Sequence, residues 1–286
     1  MILKKIYFKF PTFLRNFINK SSFYFFNDIE NDFVNNPAIG KRYGLNSLDK
    51  KKILQRIRDL ISSIDSATDI KIHIILLKQI LNLKKKSDGY IVECGAYKGA
   101  TSVVLSIAAK ITGRKLIIYD SFSGLPNGER IIRNRFYPHL KITGSYQKGM
   151  YKGTLEEVTN NIKIYGHLDC CVLRKGFFKN SLKQHREKID FLFLDVDLVS
   201  STKECLIHLW PYLFEGAYCF TDDACDMDVV KIWFNEEWWK KNIKSKAPGY
   251  IGSGCGIPIS YNFSSLGYSI KSPSIKKFNS VSWLKR

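Results

Sequence analysis

The chain has 286 residues, 45% of them hydrophobic, and a formal net charge of +19. That length and apolar content suit one large globular α/β domain with extensions, and no stretch reaches the roughly 18 continuous apolar residues of a membrane-spanning helix. The positive charge is spread over short runs such as Lys50 to Lys52 and Lys84 to Lys86, which read as solvated helix faces, so nucleic acid is not an expected partner.

Residues 1 to 30 interleave Phe8, Phe10, Phe13 and Phe17 with Lys4, Lys5, Lys9 and Arg15. Such a segment suits either peripheral contact with an anionic membrane or the cover of an apolar groove on a partner subunit, and a homo-oligomer is expected. Its apolar runs are broken by Lys, Pro and Arg, and no small-residue cleavage site follows. A cytoplasmic protein is therefore expected, with the inner membrane surface as a contact place. The seven cysteines show no C-x-x-C spacing, which points to reduced thiols and no structural zinc. A helix is predicted from Ser47, with Ser47 as its N-cap and Leu54, Ile57, Leu60 and Ile61 on one face; a second runs from about Ala67 to Lys86. Residues 1–86 thus read as an extension plus a helical cap, and residues 87–286 as the catalytic domain.

The next section alternates. YIVEC, KLIIYD, CCVLRKG, FLFLDVD and AYCFTDD are predicted strands, with helices through TSVVLSIAAKI and near Leu155, and a long polar insertion from Ser123 to Gly153. Alternation of this kind predicts an α/β fold with a doubly wound, mostly parallel sheet. Between the last two strands, Cys205, Leu206, Leu209 and Leu213 have helical spacing, with Gly216 read as the helix stop. The tail segments SLGYSIKS and FNSVSWLKR predict a closing antiparallel hairpin.

Two acid clusters end predicted strands: Asp195 and Asp197 in FLFLDVDL, Asp222 and Asp223 in CFTDDA. A strand–helix–strand unit brings both to one edge of the sheet, where oxygen ligands could hold a hard divalent cation. At the end of the first strand, VECGAYKGATS places Glu93 before Gly95 and Gly99, in a turn where glycine lets the backbone approach a ligand closely. The spacing E-x-G-x-x-x-G differs from the dinucleotide G-x-G-x-x-G and suits a nucleoside without pyrophosphate. Asp120 ends the second strand, where a carboxylate can accept the hydroxyls of a ribose. The acid clusters alone also fit a DxD glycosyltransferase or a haloacid-dehalogenase-type phosphatase, but neither explains VECGAYKG or Asp120. A non-enzymatic membrane- or RNA-binding module on the same fold is the remaining alternative.

Taken together, VECGAYKGATS, IIYDSFSGLP, RKGFFKNSL, FLFLDVDLVSST, LWPYLFEGAYCFTDDA and SWLKR resemble the macrocin-type sugar O-methyltransferases. The resemblance covers roughly residues 88 to 235 plus the last few. It implies a Rossmann-like class I methyltransferase fold, S-adenosylmethionine as cofactor, a divalent cation such as magnesium, and a sugar hydroxyl as acceptor. The acceptor could be a nucleotide-linked sugar, a surface glycan unit or a natural-product glycoside. The first motif also resembles that of catechol O-methyltransferases. By these resemblances Glu93, Tyr97 and Thr101 contact the methionine part of the cofactor, Asp120 its ribose, and Ser121 and Gly176 sit beside the nucleoside. Asp195, Asp222 and Asp223 would bind the metal, with Asp195 also the catalytic base. Asp197 and the insertion residue His139 are the less certain members of the site.

Overall fold

The computed structural model describes residues 29–85, 87–126, 129–134, 141–254, 256–257 and 265–272. The basic aromatic segment up to residue 28, His139 and the final FNSVSWLKR lie outside them. After a helical stretch over residues 29–35 come α1 (Ser47–Ser63) and α2 (Ile70–Leu81). The cap of α1 is Asn46 rather than Ser47: Asn46 accepts from the Asp49 N–H at 3.0 Å, and Asp49 Oδ2 accepts from the Asn46 N–H at 3.0 Å. That reciprocal pair satisfies two backbone donors at once, which a lone serine cannot do. Helix α2 is shorter than its apolar pattern predicts, because Asp69 caps it by accepting from the Lys71 N–H at 2.9 Å. Ala67 and Thr68 are thereby left in a loop.

The alternating section follows as β1 (Tyr90–Cys94), α3 (Ala100–Thr112), β2 (Leu116–Asp120), β3 (Glu129–Asn134), β4 (Lys141–Tyr146), α4 (Leu155–Tyr165), β5 (Cys171–Lys175) and α5 (Phe178–Ser181). It continues with β6 (Ile189–Leu194), α6 (Val199–Leu209), β7 (Leu213–Thr221), α7 (Met227–Ile232), α8 (Glu236–Asn242) and β8 (Gly267–Ile270). The main sheet has the order β5-β2-β1-β6-β7-β8. Its strands pair in parallel except β8, which runs antiparallel to β7. This is the Rossmann-like arrangement expected, with β8 supplying the antiparallel partner. The polar insertion contains structure that its composition concealed: β3 and β4 pair as a separate two-stranded antiparallel sheet.

Strand β6 is buried along its whole length, as expected of a central strand covered on both faces. One face packs Ile91, Leu116, Ile118 and Phe193 against α2 and α3, and shares that core with Leu54, Ile57 and Leu60 of α1. The other packs Val92, Leu192 and Leu194 against Cys205, Leu206 and Leu209 of α6 and the indoles of Trp233 and Trp239. Gly216 is not a helix stop. Helix α6 ends at Leu209, Trp210–Tyr212 form a 3-10 turn containing Pro211, and Gly216 lies inside β7 with φ 81°. The β6–β7 register shifts between Ile189↔Leu213 and Phe191↔Tyr218, so glycine serves a bulge there.

A buried ion pair ties the cap to the sheet. Arg114 Nε donates to Asp190 Oδ2 at 2.7 Å, Ser87 Oγ donates to Asp190 Oδ1 at 2.7 Å, and Arg114 also donates to the Lys84 carbonyl at 2.6 Å and to Tyr43 Oη at 3.1 Å. Removing one partner strands the other charge in a dry site. Asp190→Ala is expected to lower unfolding free energy by about 3 kcal/mol, read from the denaturant midpoint at constant slope; a change below about 0.5 kcal/mol would refute this role.

Candidate active site

The ladder of the main sheet runs past the ends of its strands. The Gly95 N–H donates to the Tyr119 carbonyl at 3.0 Å, Asp195 to Cys94 at 2.9 Å, Asp222 to Leu194 at 3.0 Å and Gly176 to Asp120 at 2.9 Å. Each bond carries the chain that follows a strand onto the edge of its neighbour. Four post-strand turns are therefore delivered together to the carboxyl edge, on either side of the switch point between β1 and β6. They line one cavity of about 390 Å³, together with Asp120, Ser121, Tyr97, Asp197 and Asp223.

On the β1–β2 side the cavity floor is bare backbone. Gly95 has φ 89°, and a Cβ there would lie 1.8 Å from the Asp195 carbonyl oxygen, so no larger residue fits. Asp120 Oδ2 accepts from the Ala96 N–H at 2.7 Å, and Oδ1 accepts from the Phe122 N–H at 2.5 Å. Those bonds fix the carboxylate at the cavity wall and offset part of the burial that raises its pKa. Ser121 Oγ donates to the Gly124 carbonyl at 2.8 Å, closing the next turn, and Gly176 approaches with φ 145°.

Three residues expected to contact the cofactor do not line the cavity. Gly99, with φ 89°, turns the chain into α3. Thr101 is buried on α3 and its hydroxyl pairs with His73 Nε2 at 3.1 Å. Glu93 is fully buried beneath the turn: Oε2 accepts from Ser102 Oγ at 2.6 Å, while Oε1 has no hydrogen-bond partner. Burial pushes the Glu93 carboxyl well above its usual pKa.

On the β6–β7 side Asp195, Asp197, Asp222, Asp223 and Asp226 all line the cavity. Burial, reinforced by the charge of Asp197, pushes the Asp195 carboxyl up to about 8. Thr68, in the loop before α2, donates to Asp195 Oδ2 at 3.4 Å. The five aspartates have the hard oxygen donors that a divalent cation takes. As placed, however, no group of three or more His, Cys, Asp and Glu side chains among the described residues is disposed to hold a metal ion. The sequence reading missed Tyr151, Glu204 and Asp226 at the cavity and Thr68 beside Asp195. Asp226 carried a local signal, standing three residues after Asp223; the other three reach their places through tertiary folding alone.

The family profile named Macrocin-O-methyltransferase (TylF) aligns with residues 76–247, a span that includes the glycine turn, Asp120 and both acid clusters. The chain belongs to this family. Its members are class I S-adenosylmethionine-dependent O-methyltransferases. The match spans both acid clusters and leaves the phosphatase and glycosyltransferase readings without support. Among curated relatives, the 8-demethyl-8-(2,3-dimethoxy-alpha-L-rhamnosyl)-tetracenomycin-C 4'-O-methyltransferase of Streptomyces olivaceus is 30% identical over 145 residues, covering 47% of this chain and 52% of the relative. The demethyldecarbamoylnovobiocin O-methyltransferase of Streptomyces niveus is 27% identical over 140 residues, with the same coverages of 47% and 52%. The chain thus spans about half the length of the curated relatives it matches. The solved O-methyltransferase NovP has a TM-score of 0.48 at 18% identity, covering 78% of each chain.

His73 offers a check on the packing beneath the site. It is fully buried, Nδ1 has no hydrogen-bond partner, and burial lowers its pKa to about 4. The unfolded chain protonates this imidazole below about 6.5, so between that pH and 4 it binds more protons than the folded one and stability falls as pH falls. The full effect is about 3 kcal/mol. In urea titrations from pH 7 to 4 the stability of the wild type relative to His73→Gln should fall by about 3 kcal/mol, the difference isolating His73 from the buried carboxyls, which titrate in the opposite sense; parallel profiles would refute it.

Proposed function

We propose that this protein transfers a methyl group from S-adenosylmethionine to a hydroxyl of a sugar. The observation that carries the proposal is the contact of two turns across the switch point: the Gly95 backbone lies directly against Asp195, with Asp120 on one side and Asp222 and Asp223 on the other, in one cavity. The names of the relatives, one of which specifies a rhamnosyl substrate, support the acceptor class.

The cofactor supplies an already activated sulfonium methyl, so the protein's task is alignment, exclusion of water and removal of one proton. Asp120, held by two backbone N–H groups, accepts from the ribose hydroxyls. The bare Gly95 turn and Gly176 admit the nucleoside and methionine parts close to the sheet. Glu93 and Thr101 lie below that turn, bonded to Ser102 and His73, and act through it. Asp195 takes the acceptor proton.

With its pKa pushed up to about 8 by burial and by Asp197, Asp195 is held mainly protonated at pH 7. A nearby positive charge is needed to hold it as a base. The proposal therefore includes a divalent cation, held by Asp195, Asp222 and Asp223 after their side chains turn toward a common point. Bound there, it would acidify a coordinated sugar hydroxyl and neutralise the acid set.

Two measurements test this reading. Calorimetry with S-adenosylmethionine should show saturable binding that weakens at least tenfold in Asp120→Ala, by loss of a charge-assisted pair worth about 1.5–3 kcal/mol; no binding to the wild type would end the cofactor assignment. Methyl transfer at pH 7 should collapse in EDTA and return with magnesium. The rising limb of the residual rate against pH should lie near 8 without the cation and move to lower pH with it, because a cation favours the ionised carboxyl. Full activity in EDTA would remove the metal from the proposal.

A further inference from the structure

A hydroxyl group carries a hydrogen to donate and lone pairs to fill, and a nearly buried one left incomplete at a cavity wall is available to a ligand. Two serines on the acid side of the cavity are in this position. Ser201 is 5% exposed and lines the cavity from the first turn of α6, and its hydroxyl makes no hydrogen bond among the described residues. The helix begins without a side-chain cap, because the residue at that place is Leu198. Ser201 stands four residues after Asp197, so the turn that delivers acids to the cavity also delivers this donor.

Ser265 comes from beyond the span that the family profile covers, yet it is 2% exposed and lines the same cavity. Its backbone is bound to the acid loop: its N–H donates to the Asp222 carbonyl at 3.0 Å, and its carbonyl accepts from the Ala224 N–H at 3.0 Å. Ser265 Oγ accepts from the Cys225 N–H at 2.8 Å. The hydrogen of that hydroxyl has no acceptor among the described residues. A glycine-rich stretch after α8 makes the seat possible, since a Cβ on Gly256 would lie 2.8 Å from Ser265 Cβ. Backbone bonds alone already hold the loop, so the hydroxyl hydrogen is surplus to folding.

The chemistry around these two groups defines what they suit. Carboxylates accept hydrogen bonds but, once ionised, donate none. A sugar needs both kinds of partner: its hydroxyls donate to carboxylates, while hydroxyl, ring and glycosidic oxygens accept. The two serines supply the donors that the acid set lacks. A neutral oxygen suits them better than an anion, because Ser201 shares its turn with Asp197 and Ser265 is bonded to the backbone of Asp222.

We infer that Ser201 and Ser265 donate hydrogen bonds to non-reacting oxygens of the acceptor sugar and so set acceptor specificity. This inference rests on the sugar methyltransferase reading above and deepens it. Neither serine takes the acceptor proton, which remains the task of Asp195. A site with donors waiting for oxygen rejects an analogue that lacks that oxygen, because the donor is then left unpaired.

Methyl transfer from tritiated S-adenosylmethionine, with magnesium present, tests this against the methyl glycosides of rhamnose, fucose and glucose and their monodeoxy derivatives. The wild type should methylate at least one parent glycoside, and loss of one non-reacting hydroxyl should lower kcat/KM at least fivefold. That penalty should fall below twofold in Ser201→Ala for one position and in Ser265→Ala for another. A merely structural role would slow parent and deoxy glycosides alike and leave the penalty intact. Binding of S-adenosylhomocysteine within threefold of the wild type reports that each variant is folded, and Ser201→Ala removes no partner from any backbone group. A penalty that survives in either variant overturns the role of that serine; survival in both overturns the inference. Faster transfer to methyl glucuronide than to methyl glucoside, or no glycoside accepted by wild type that binds S-adenosylhomocysteine, would overturn it as well. Failure of the wild type to bind S-adenosylhomocysteine would instead overturn the methyltransferase reading beneath it.

Discussion

The site depends on the absence of a side chain at Gly95. Strands β1 and β6 end side by side, and the backbone of the turn after β1 lies so close to the Asp195 carbonyl that a single added carbon would overlap it. That proximity brings the Gly95–Asp120 side and the acid side within one cavity. A parallel sheet presents its carboxyl edge as a row of separate turns; here continued ladder bonds from Gly95, Gly176, Asp195 and Asp222 hold four of them in register. The placement of the chemistry is thus a property of backbone hydrogen bonding, and the side chains inherit it.

The same edge concentrates electrostatic cost. Asp195 and Glu93 are buried with raised pKa values, and five further aspartates share the cavity. Carboxylates so arranged repel one another and favour the unfolded chain once ionised. The surrounding structure offsets that cost with two cores that cover the sheet on both faces and with the Arg114–Asp190 pair beneath the cap. Strained backbone at Tyr97, Tyr151 and Asp197 adds to the same side of the balance. A protein that keeps these features together holds them for binding rather than for stability.

The strands and acids of the main sheet were legible in the sequence because each is local: an apolar run that stops at Glu93, Asp120, Asp195 or Asp222 marks both a strand and its edge. Helix limits were less legible. Asn46 and Asp69 cap helices through bonds to backbone N–H groups two or three residues on, and these compete with an apolar pattern that reads longer. Gly216 was misread because helix stop and β-bulge both require positive φ, and only the register of β6 against β7 distinguishes them. Glu93 and Thr101 were assigned to the cofactor by resemblance, yet their side chains point below the turn, where Ser102 and His73 bond them. Tyr151 carried no local signal, since its partners Tyr97 and Tyr146 come from different turns and its place at the cavity exists only once they meet.

The β3–β4 hairpin forms a sheet of its own, joined to the rest of the chain between β2 and α4, and it contributes no strand to the main sheet. Its described contact with the acid set runs through Tyr146 to Asp226. Such an appendage can change in length and sequence without disturbing the register that assembles the chemistry. For the proposed reaction this makes the hairpin a part that can be exchanged while the four turns that carry the acids keep their register.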